Sequence, residues 1–427
     1  MTQRPSGISE VLPLGPLQEG LLFHHALTGA DGDVYALQCR VALHGRIDTA
    51  RLRRAARALL QRYPNLRAGF AHEGLDQPVQ FVPADVDVAW EETRAEGDPA
   101  AAAEPLAERE LAHRFDLAAP PLLRFLLVRG YTEHVLVVTA HHILLDGWSL
   151  PLLITELCTL YAADGDTAAL PPAPSYRDYL AWLARLDRDA AADAWRTALA
   201  DLPGPCLVAP GRSGTARPPR RTTRVLPAAL GARLRDAARA HRVTPNTVFQ
   251  AAWAIALATR TGSTDVVFGQ PVSGRTPDVP GSEAMIGLFT NTLPVRVRLG
   301  VAETAAALLR RIHTEQAALV DHHALGLSAV QRAAGTATLF DTLLVVENFP
   351  VDRSRHAADH AGMRVTGVTV RDATHYPLVL VVLPEEDITL CVDYDPDQFS
   401  AADAEAVLDL VVRVLTQLVD DSERPLC

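Results

Sequence analysis

Residues 134–149, HVLVVTAHHILLDGWS, place a strongly apolar segment directly before a polar turn. The run HVLVVTA (134–140) has the length and the β-branched composition of a buried strand. Ser149 then stands as a candidate N-cap for a helix that continues through PLLITELCTLYA. A buried strand, a turn with two histidines and an aspartate, and a helix indicate an α/β fold with a polar site at the strand's end.

The turn HHILLDG (141–147) is the first candidate for a catalytic site. Histidine titrates near neutral pH, so His142 is suited to accept a proton from an attacking amine or hydroxyl. Asp146 either orients an imidazole or anchors the turn through an arginine, and Gly147 permits backbone angles that a residue with Cβ resists. On residue identity alone, adjacent histidines are more often structural than catalytic, so both interpretations remain open. The turn lacks HExxH spacing, a nearby Cys and a second carboxylate, so its sequence does not indicate a metal site.

The composition limits the class of protein. The 427 residues suffice for two or three domain-sized cores, and 48% hydrophobic with 21% charged residues is ordinary for a soluble globular protein. No apolar stretch approaches the roughly 20 residues that span a bilayer, and the start MTQRPSGISE lacks the pattern of a secretory signal. A net charge of −11 disfavours nucleic acid as a partner. Five scattered cysteines without a CxxC pair predict a cytoplasmic protein without a zinc site or disulfide framework.

Hydrophobic periodicity predicts a mixture of helices and strands in both halves of the chain. Predicted helices cover 16–27, 48–64, 98–115, 149–162, 176–186, 188–200, 227–241, 245–260, 302–322 and 400–419. Predicted strands cover 35–44, 66–71, 78–82, 122–128, 134–140, 264–271, 291–298, 339–347, 364–371, 376–383 and 387–393. The Pro- and Gly-containing stretch DGDTAALPPAPS (164–175) predicts a boundary between two α/β sandwich domains, 1–175 and 176–427.

The segment HHILLDGWS (141–149) resembles the HHxxxDG signature of condensation domains of nonribosomal peptide synthetases. Six further segments match motifs of that family in family order: VLPLGPLQEGLLFH (11–24), RYPNLRAGF (62–70), YRDYLAW (176–182), IGLFTNTLPVR (286–296), DHHALGLSAVQ (321–331) and RDATHYPL (371–378). The matches extend over most of the chain. On these motifs the chain is identified as a member of the condensation-domain family.

This resemblance implies two chloramphenicol-acetyltransferase-like lobes in a V-shaped pseudo-dimer, with the histidine motif midway along a central tunnel. It also implies that the amine of an acceptor aminoacyl thioester attacks a donor thioester. Both substrates would arrive on the 4'-phosphopantetheine arms of peptidyl carrier proteins, and the domain would bind no cofactor of its own. The expected partners are the donor and acceptor carriers and neighbouring synthetase domains, and a monomer is expected.

By the same resemblance, His142 lies at the reacting amine, either as general base or as the hydrogen-bond acceptor that positions the amine. His141 is expected to point into the fold. Asp146 belongs to the catalytic motif but is expected to act structurally, through a buried ion pair with an arginine. Arg275 is the first candidate for that arginine, and Arg67 is the second.

Further residues are expected beside the reacting groups. The backbone N–H of Gly147 is expected to face the thioester oxygen. Residues expected to line the substrate tunnel are Trp148, Ser149, Asn291 and Asn348, with a helix cap as the alternative role of Ser149.

Three segments resemble the subtype that accepts a donor ending in a D-residue, namely LPLGPLQEGLLFH (12–24), DGWS (146–149) and THYPL (374–378). An epimerisation domain is the nearest alternative, because it retains HHxxxDG but exchanges an α-proton. Alternatives from other classes are a non-catalytic docking module for carriers or an oxygenase, and a CoA-dependent acyltransferase. The end SERPLC (422–427), without carrier or adenylation signatures, indicates either an excised piece of a synthetase or a stand-alone protein.

Overall fold

The strand that carries the two histidines lies in the middle of a five-stranded sheet. The structure is a computed structural model that describes residues 7–27, 35–211, 218–347, 358–384 and 386–420. With elements numbered along the chain, the spatial order of the sheet is β12 (Met363–Arg371), β2 (Ala36–Gly45), β7 (Glu133–His141), β6 (Leu123–Arg129) and β5 (Ala89–Arg94). Neighbours are antiparallel except β5 and β6, which are parallel.

Helices cover both faces of β7, which explains its continuous apolar sequence. Val135 and Val137 pack with Ala103 of α3 (Pro99–Ala112) on one face. The alternate residue Val138 faces the other layer, which contains α2 (Thr49–Arg62) and α4 (Ser149–Ala162). Asp48 caps α2 by accepting a hydrogen bond from the N–H of Arg51 at 3.0 Å.

The first part of the chain forms several further elements besides this sheet and its helices. A three-stranded sheet, two helices and short 3-10 helices complete the set. They are β1 (Ile8–Pro13), β4 (Val79–Pro83), β3 (Gly69–Ala71), α1 (Pro16–Leu27), α5 (Tyr176–Leu183), and the 3-10 helices Pro64–Arg67, Thr167–Ala169 and Ser282–Ala284.

A third sheet has six strands in the described part of the chain. Its order is β10 (Asn291–Arg298), β9 (Asp265–Val272), β11 (Thr342–Val346), β13 (Leu378–Leu383), β14 (Thr389–Tyr394) and β8 (Arg220–Val225). Only β11 pairs in parallel, with β9 and β13. The helices are α6 (Arg188–Ala198), α7 (Ala228–His241), α8 (Pro245–Thr261), α9 (Ala305–Ala317), α10 (Leu327–Ala333), α11 (Ala401–Asp420) and the 3-10 helix Val320–His322. Trp253 of α8 and Leu408 of α11 lie fully buried in its core.

Within the described residues, the chain forms two compact units. The first combines Met1–Leu186, Arg275–Thr290 and Phe349–Thr374, and the second combines Asp187–Gly274, Asn291–Asn348 and His375–Cys427. This division differs from the single boundary at residue 175 predicted from sequence. The late segments join the first unit because β12 pairs with β2 and because Arg275 binds Asp146. Local composition cannot show which sheet a later strand joins.

Most predicted helices and strands are present, with ends shifted by a few residues. The strands β5 and β8 were missed because each lies at a sheet edge and carries a charged sequence, AWEETR and RRTTRV. The short elements β1 and α10 were also missed. In the part of the chain that the structure describes, no helix is both long and apolar enough to cross a lipid bilayer.

Candidate active site

The turn after β7 is held by backbone hydrogen bonds to the chain on either side of β7, just before β2 and just before β6. The N–H of His142 donates to the carbonyl of Tyr35 at 2.8 Å, and the N–H of His141 donates to the carbonyl of Leu122 at 3.0 Å. The three apolar residues that follow are buried, as the sequence predicted: Ile143, Leu144 and Leu145. The position of His142 is therefore set by β2 and by the core beneath the turn.

His141 points into the fold, as predicted. Its side chain is fully buried, and Nδ1 accepts a hydrogen bond from the N–H of Ile143 at 3.0 Å. The rings of His25 and Phe115 lie edge-on to it, with centroids 5.5 and 6.2 Å away. These contacts give His141 a packing role beneath the turn.

Asp146 forms the buried ion pair expected with Arg275. The guanidinium Nη2 lies 3.1 Å from Oδ1, and both side chains are at most 4% exposed. Oδ2 accepts a hydrogen bond from the N–H of Phe289 at 3.1 Å, and Arg275 Nη1 donates to the carbonyl of Met285 at 2.8 Å. The pair therefore ties the histidine turn to the segment 275–290.

Arg67, the second candidate for this pair, does not bind Asp146. Its guanidinium donates to the carbonyls of Leu60 and Gln61, at 2.7 and 3.2 Å, and of Pro83 at 3.3 Å. It therefore satisfies the carbonyls that α2 leaves without partners at its last turn.

Ser149 does not line an open surface, and it is not the cap of α4. It is fully buried at the first position of the helix, which Trp148 precedes as the cap residue. Its hydroxyl lies 2.7 Å from Asp146 Oδ1 and 2.8 Å from the carbonyl of Gly287, to either of which it can donate its one proton, and it accepts from Arg275 at 2.9 Å. Ser149 thus belongs to the network around the ion pair.

Gly147 and Trp148 lie at the more open end of the turn. The φ of Gly147 is not positive, so the turn does not use the left-handed conformation that glycine permits. Trp148 is partly exposed, and its Nε1 donates to the carbonyl of Glu283 at 3.1 Å. The Arg275 guanidinium lies 5.6 Å from the centroid of its ring.

The two asparagines expected along the tunnel give different outcomes. Asn291 is 3% exposed, and its Nδ2 donates to the carbonyls of His323 and Leu325, both at 2.8 Å. Its amide therefore holds loop backbone inside the second unit. Asn348 lies outside the described residues.

Asp372 contacts His142 but was not among the site residues predicted from sequence. It follows the last residue of β12, and its Oδ2 lies 3.4 Å from Nε2 of His142. The register explains the approach: Arg371 lies opposite Gln38 of β2, and Gln38 lies opposite Thr139 of β7. Asp372 belongs to the segment RDATHYPL, but nothing in that segment indicated which strand it would pair with.

The environment of His142 favours its charged form. Burial lowers the pKa of the imidazole, but the charge and contact of Asp372, with a smaller contribution from Asp146, outweigh burial and raise the pKa to about 9. The imidazolium therefore predominates at neutral pH in this arrangement. A protonated ring cannot accept a proton, so release of the contact with Asp372 would favour the neutral form of His142, which can act as a base.

This pair predicts a pH-dependent stability. Because the folded pKa of about 9 exceeds the ordinary value of 6.5, the contribution is complete below about pH 6.5 and is lost as the pH rises through 9. The gap in urea midpoint between the wild type and Asp372→Asn should be largest near pH 6 and close near pH 10. Titration by ¹³C-histidine NMR should place the pKa of His142 lower in Asp372→Asn. The exposed Asp76→Asn serves as the charge control, and equal His142 titrations in all three proteins would contradict the assignment.

The buried side-chain amides of Gln18 and Gln80 form a hydrogen-bond network that reaches the backbone of the histidine turn. Gln18 of α1 donates through Nε2 to the carbonyl of Ile143 at 2.9 Å. Its Oε1 accepts from the N–H of Gly15 at 2.8 Å and from Nε2 of Gln80 at 3.2 Å. Gln18 is 2% exposed, so none of these partners has water as a ready substitute.

Gln18→Leu should lower the free energy of unfolding by about 1–3 kcal/mol, because it leaves the Ile143 carbonyl and its other partners unsatisfied in the interior. Urea denaturation measures this loss. The matched control is Gln77→Leu, which makes the same chemical change at an exposed position and should shift stability by less than about 0.5 kcal/mol. Equal shifts for both variants would show that the Gln18 contacts do not hold the turn.

The described residues contain no group of three or more His, Cys, Asp and Glu side chains placed to hold a metal ion. The site is instead a histidine at the end of a buried strand, with a carboxylate on its Nε2 and a buried ion pair beneath it. Together with two mixed α/β units, these features agree with the class that the HHxxxDG resemblance predicted, the condensation domains.

The comparisons with known proteins agree with this class. The family model described as "Condensation domain" matches residues 8–426, and the chain belongs to the condensation-domain family. It is accordingly an acyltransferase domain of the kind that forms amide bonds in nonribosomal peptide synthesis.

Two curated synthetases are among the relatives. Chondramide synthase cmdD of Chondromyces crocatus is 34% identical over 96% of this chain, and vanchrobactin synthetase VabF of Vibrio anguillarum is 34% identical over 97%. The chain spans only 12% and 14% of their respective lengths.

Solved structures show the same fold. The first condensation domain of the calcium-dependent antibiotic synthetase superimposes with a TM-score of 0.79 at 22% identity, covering 98% of each chain. A four-domain nonribosomal peptide synthetase superimposes with a TM-score of 0.83 at 17% identity, covering all of this chain and 34% of its own.

Proposed function

We propose that this condensation domain joins a donor peptidyl or aminoacyl thioester to the amine of an acceptor aminoacyl thioester, with His142 at the reaction centre. The observation that carries the proposal is the placement of His142 Nε2 at the end of β7, on a turn fixed by His141, Gln18 and the Asp146–Arg275 pair. The relatives are multidomain synthetases, so we take the partners to be carrier proteins and neighbouring synthetase domains. The substrates then arrive as thioesters of 4'-phosphopantetheine.

In the proposed reaction, the acceptor nitrogen attacks the donor carbonyl carbon, a C–N bond forms and the C–S bond breaks. The sulfur leaves as a thiolate and takes up the proton that the amine loses, so the products are an amide and a free thiol. Holding both tethered substrates at one site would account for up to roughly 7–11 kcal/mol of the barrier. The N–H of Gly147 is proposed to stabilise the thioester oxygen as it gains charge.

The described cysteines are poorly placed to act as nucleophiles, which supports direct transfer between the two substrates. Cys39, Cys158, Cys206 and Cys391 are all buried. Burial raises the pKa of Cys39 and of Cys158 to about 12, which suppresses the nucleophilic thiolate. We therefore propose no acyl-enzyme intermediate.

We propose that His142 positions the amine and acts as its proton acceptor only when Asp372 is engaged elsewhere. An α-ammonium has an ordinary pKa of about 8, so it deprotonates readily near neutral pH without strong base catalysis. Trp148, at the open end of the turn, is proposed to border the substrate path. Asp146 and Arg275 act through the shape of the turn.

We further propose that the donor ends in a D-residue. Support comes from the three segments that resemble this subtype, 12–24, 146–149 and 374–378. The first of them supplies Gln18, which binds the backbone of the histidine turn. This finer assignment depends on the donor, so it needs a test of its own.

The test loads donor and acceptor carrier proteins with defined residues, mixes them with this domain, and follows the acceptor by intact mass. A gain equal to the donor acyl group supports condensation. Unchanged mass with inversion at the α-carbon would indicate epimerisation, and carrier binding without either change would indicate a docking module. Transfer from acyl-CoA instead of the carrier would indicate a CoA-dependent acyltransferase. Donors in D and L form test the subtype, which fails if the L donor reacts as fast as the D donor.

A further inference from the structure

The carboxylate of Asp372 and the ring of His142 form a pair with one side available to a ligand. Asp372 is 40% exposed, and its contact with His142 Nε2 at 3.4 Å is its only ion pair in the described ranges. Nδ1 of the same ring is buried. Nε2 is therefore the ring atom that can meet a substrate, and it is the atom that Asp372 occupies.

The other charged or titratable groups around His142 already pair with, or pack against, other residues. Asp146 binds Arg275 through a contact with both side chains buried. His141, on β7, is packed beneath the turn. Arg371, the last residue of β12, pairs with Glu108 of α3. Asp372 is thus the carboxylate of this region that a cation can reach without breaking a buried pair.

A cationic amine that approaches an imidazolium meets a like charge, and removal of its water is unfavourable unless an anion replaces it. The acceptor of a condensation reaction carries such a group, because its α-amine is largely an ammonium near neutral pH. A carboxylate beside the ring resolves both difficulties, because it can accept a charge-assisted hydrogen bond from the ammonium.

We propose that Asp372 is the binding residue for the α-ammonium of the acceptor, and that the ammonium replaces His142 as its partner. This inference rests on the proposed function. Loss of the carboxylate contact releases one proton from the imidazolium to solvent and leaves Nε2 free to accept. Neutral His142 then takes one proton from the ammonium and releases it to solvent, and the resulting amine attacks the thioester carbonyl. As the C–N bond forms and the C–S bond breaks, the nitrogen loses its second proton, which His142 passes to the departing thiolate. Asp372 forms no covalent bond and is unchanged at the end.

The exchange makes two predictions about binding alone. An acceptor with an α-amine should bind more tightly than the same molecule with an α-hydroxyl, since only the ammonium gains from the carboxylate. Binding of the amine should also release close to one proton near pH 7.5. Neither effect requires a donor substrate or turnover.

The experiment uses two pantetheine probes in which an amide replaces the thioester, one bearing an α-amine and one an α-hydroxyl. Calorimetry of the whole domain in phosphate and in Tris gives the affinity and the number of protons released. We expect the wild type to favour the amine probe by about tenfold or more, as for a charge-assisted hydrogen bond. Asp372→Asn should abolish the preference and the proton release, while the exposed Asp76→Asn should retain both.

A wild type that binds the two probes equally, or binds neither, would overturn the proposal. An Asp372→Asn variant that keeps the preference would overturn it as well. Asp372→Glu, which retains the charge, should retain a measurable preference, so a loss in the Asn variant alone cannot be assigned to misfolding. Failure of the proposed function is separate: it appears in the carrier assay as transfer that is absent in the wild type or unaffected in His142→Ala.

Discussion

His142→Ala should lower the rate of carrier-to-carrier transfer at least about a hundredfold, the lower end of what a positioned acid–base group contributes. The loss follows from the role proposed for Nε2, because the alanine side chain offers no acceptor in its place. Intact mass of the acceptor carrier under single-turnover conditions measures the rate. The fold should be retained, since His142 is held mainly through its backbone N–H.

The matched control is His72→Ala, which removes an exposed imidazole from a loop of the same unit and should leave transfer unchanged. Circular dichroism and the urea midpoint check that both variants fold. If His142→Ala keeps more than about a tenth of wild-type transfer, His142 is not the reaction centre.

Arg275→Ala should lower the free energy of unfolding by about 3–5 kcal/mol, because it leaves the carboxylate of Asp146 buried without a counter-ion. It also removes donors to the carbonyls of Ser282 and Met285. Urea denaturation followed by tryptophan fluorescence, which reports on both units, measures the loss. Transfer activity should fall with it, since Asp146 shapes the turn of His142.

The exposed pair of Arg57 and Asp85 provides the comparison, with side chains 49% and 56% exposed. Arg57→Ala should cost less than about 1 kcal/mol, as surface pairs usually do. A double-mutant cycle with Asp146→Ala then isolates the coupling between Asp146 and Arg275. Equal losses of unfolding free energy for Arg57→Ala and Arg275→Ala would show that the buried pair contributes no more to stability than the exposed pair.

The parts of the site that sequence could predict are those with a local signal. The apolar strand, the turn and the burial of its three apolar residues follow from the run 134–149, whose hydrophobic residues must be removed from water. The partner of Asp146 could not be predicted from local sequence alone. A buried carboxylate requires a cation, but the chain contains many arginines. Arg275 was placed first among them only through the motif resemblance.

Asp372 had no local signal of this kind. It lies 230 positions after His142 in the chain, and its approach depends on β12 pairing with β2 in one register. A shift of one residue in that register would turn its side chain to the other face of the sheet. Ser149 shows the opposite case, in which a residue with an obvious local role as a helix cap is used in a long-range network.

The separation of the first unit into distant segments has a consequence for assembly on the ribosome and for recombination. Residues up to Leu186 supply the histidine turn, but Arg275 and Asp372 emerge about 90 and 190 residues later, so the turn is synthesised long before its counter-charges. A chimera joined near residue 175 would combine Asp146 and His142 from one parent with Arg275 and Asp372 from the other. Exchanges that keep each charge with its original partner must carry the segments 275–290 and 358–374 together with the amino-terminal part of the chain.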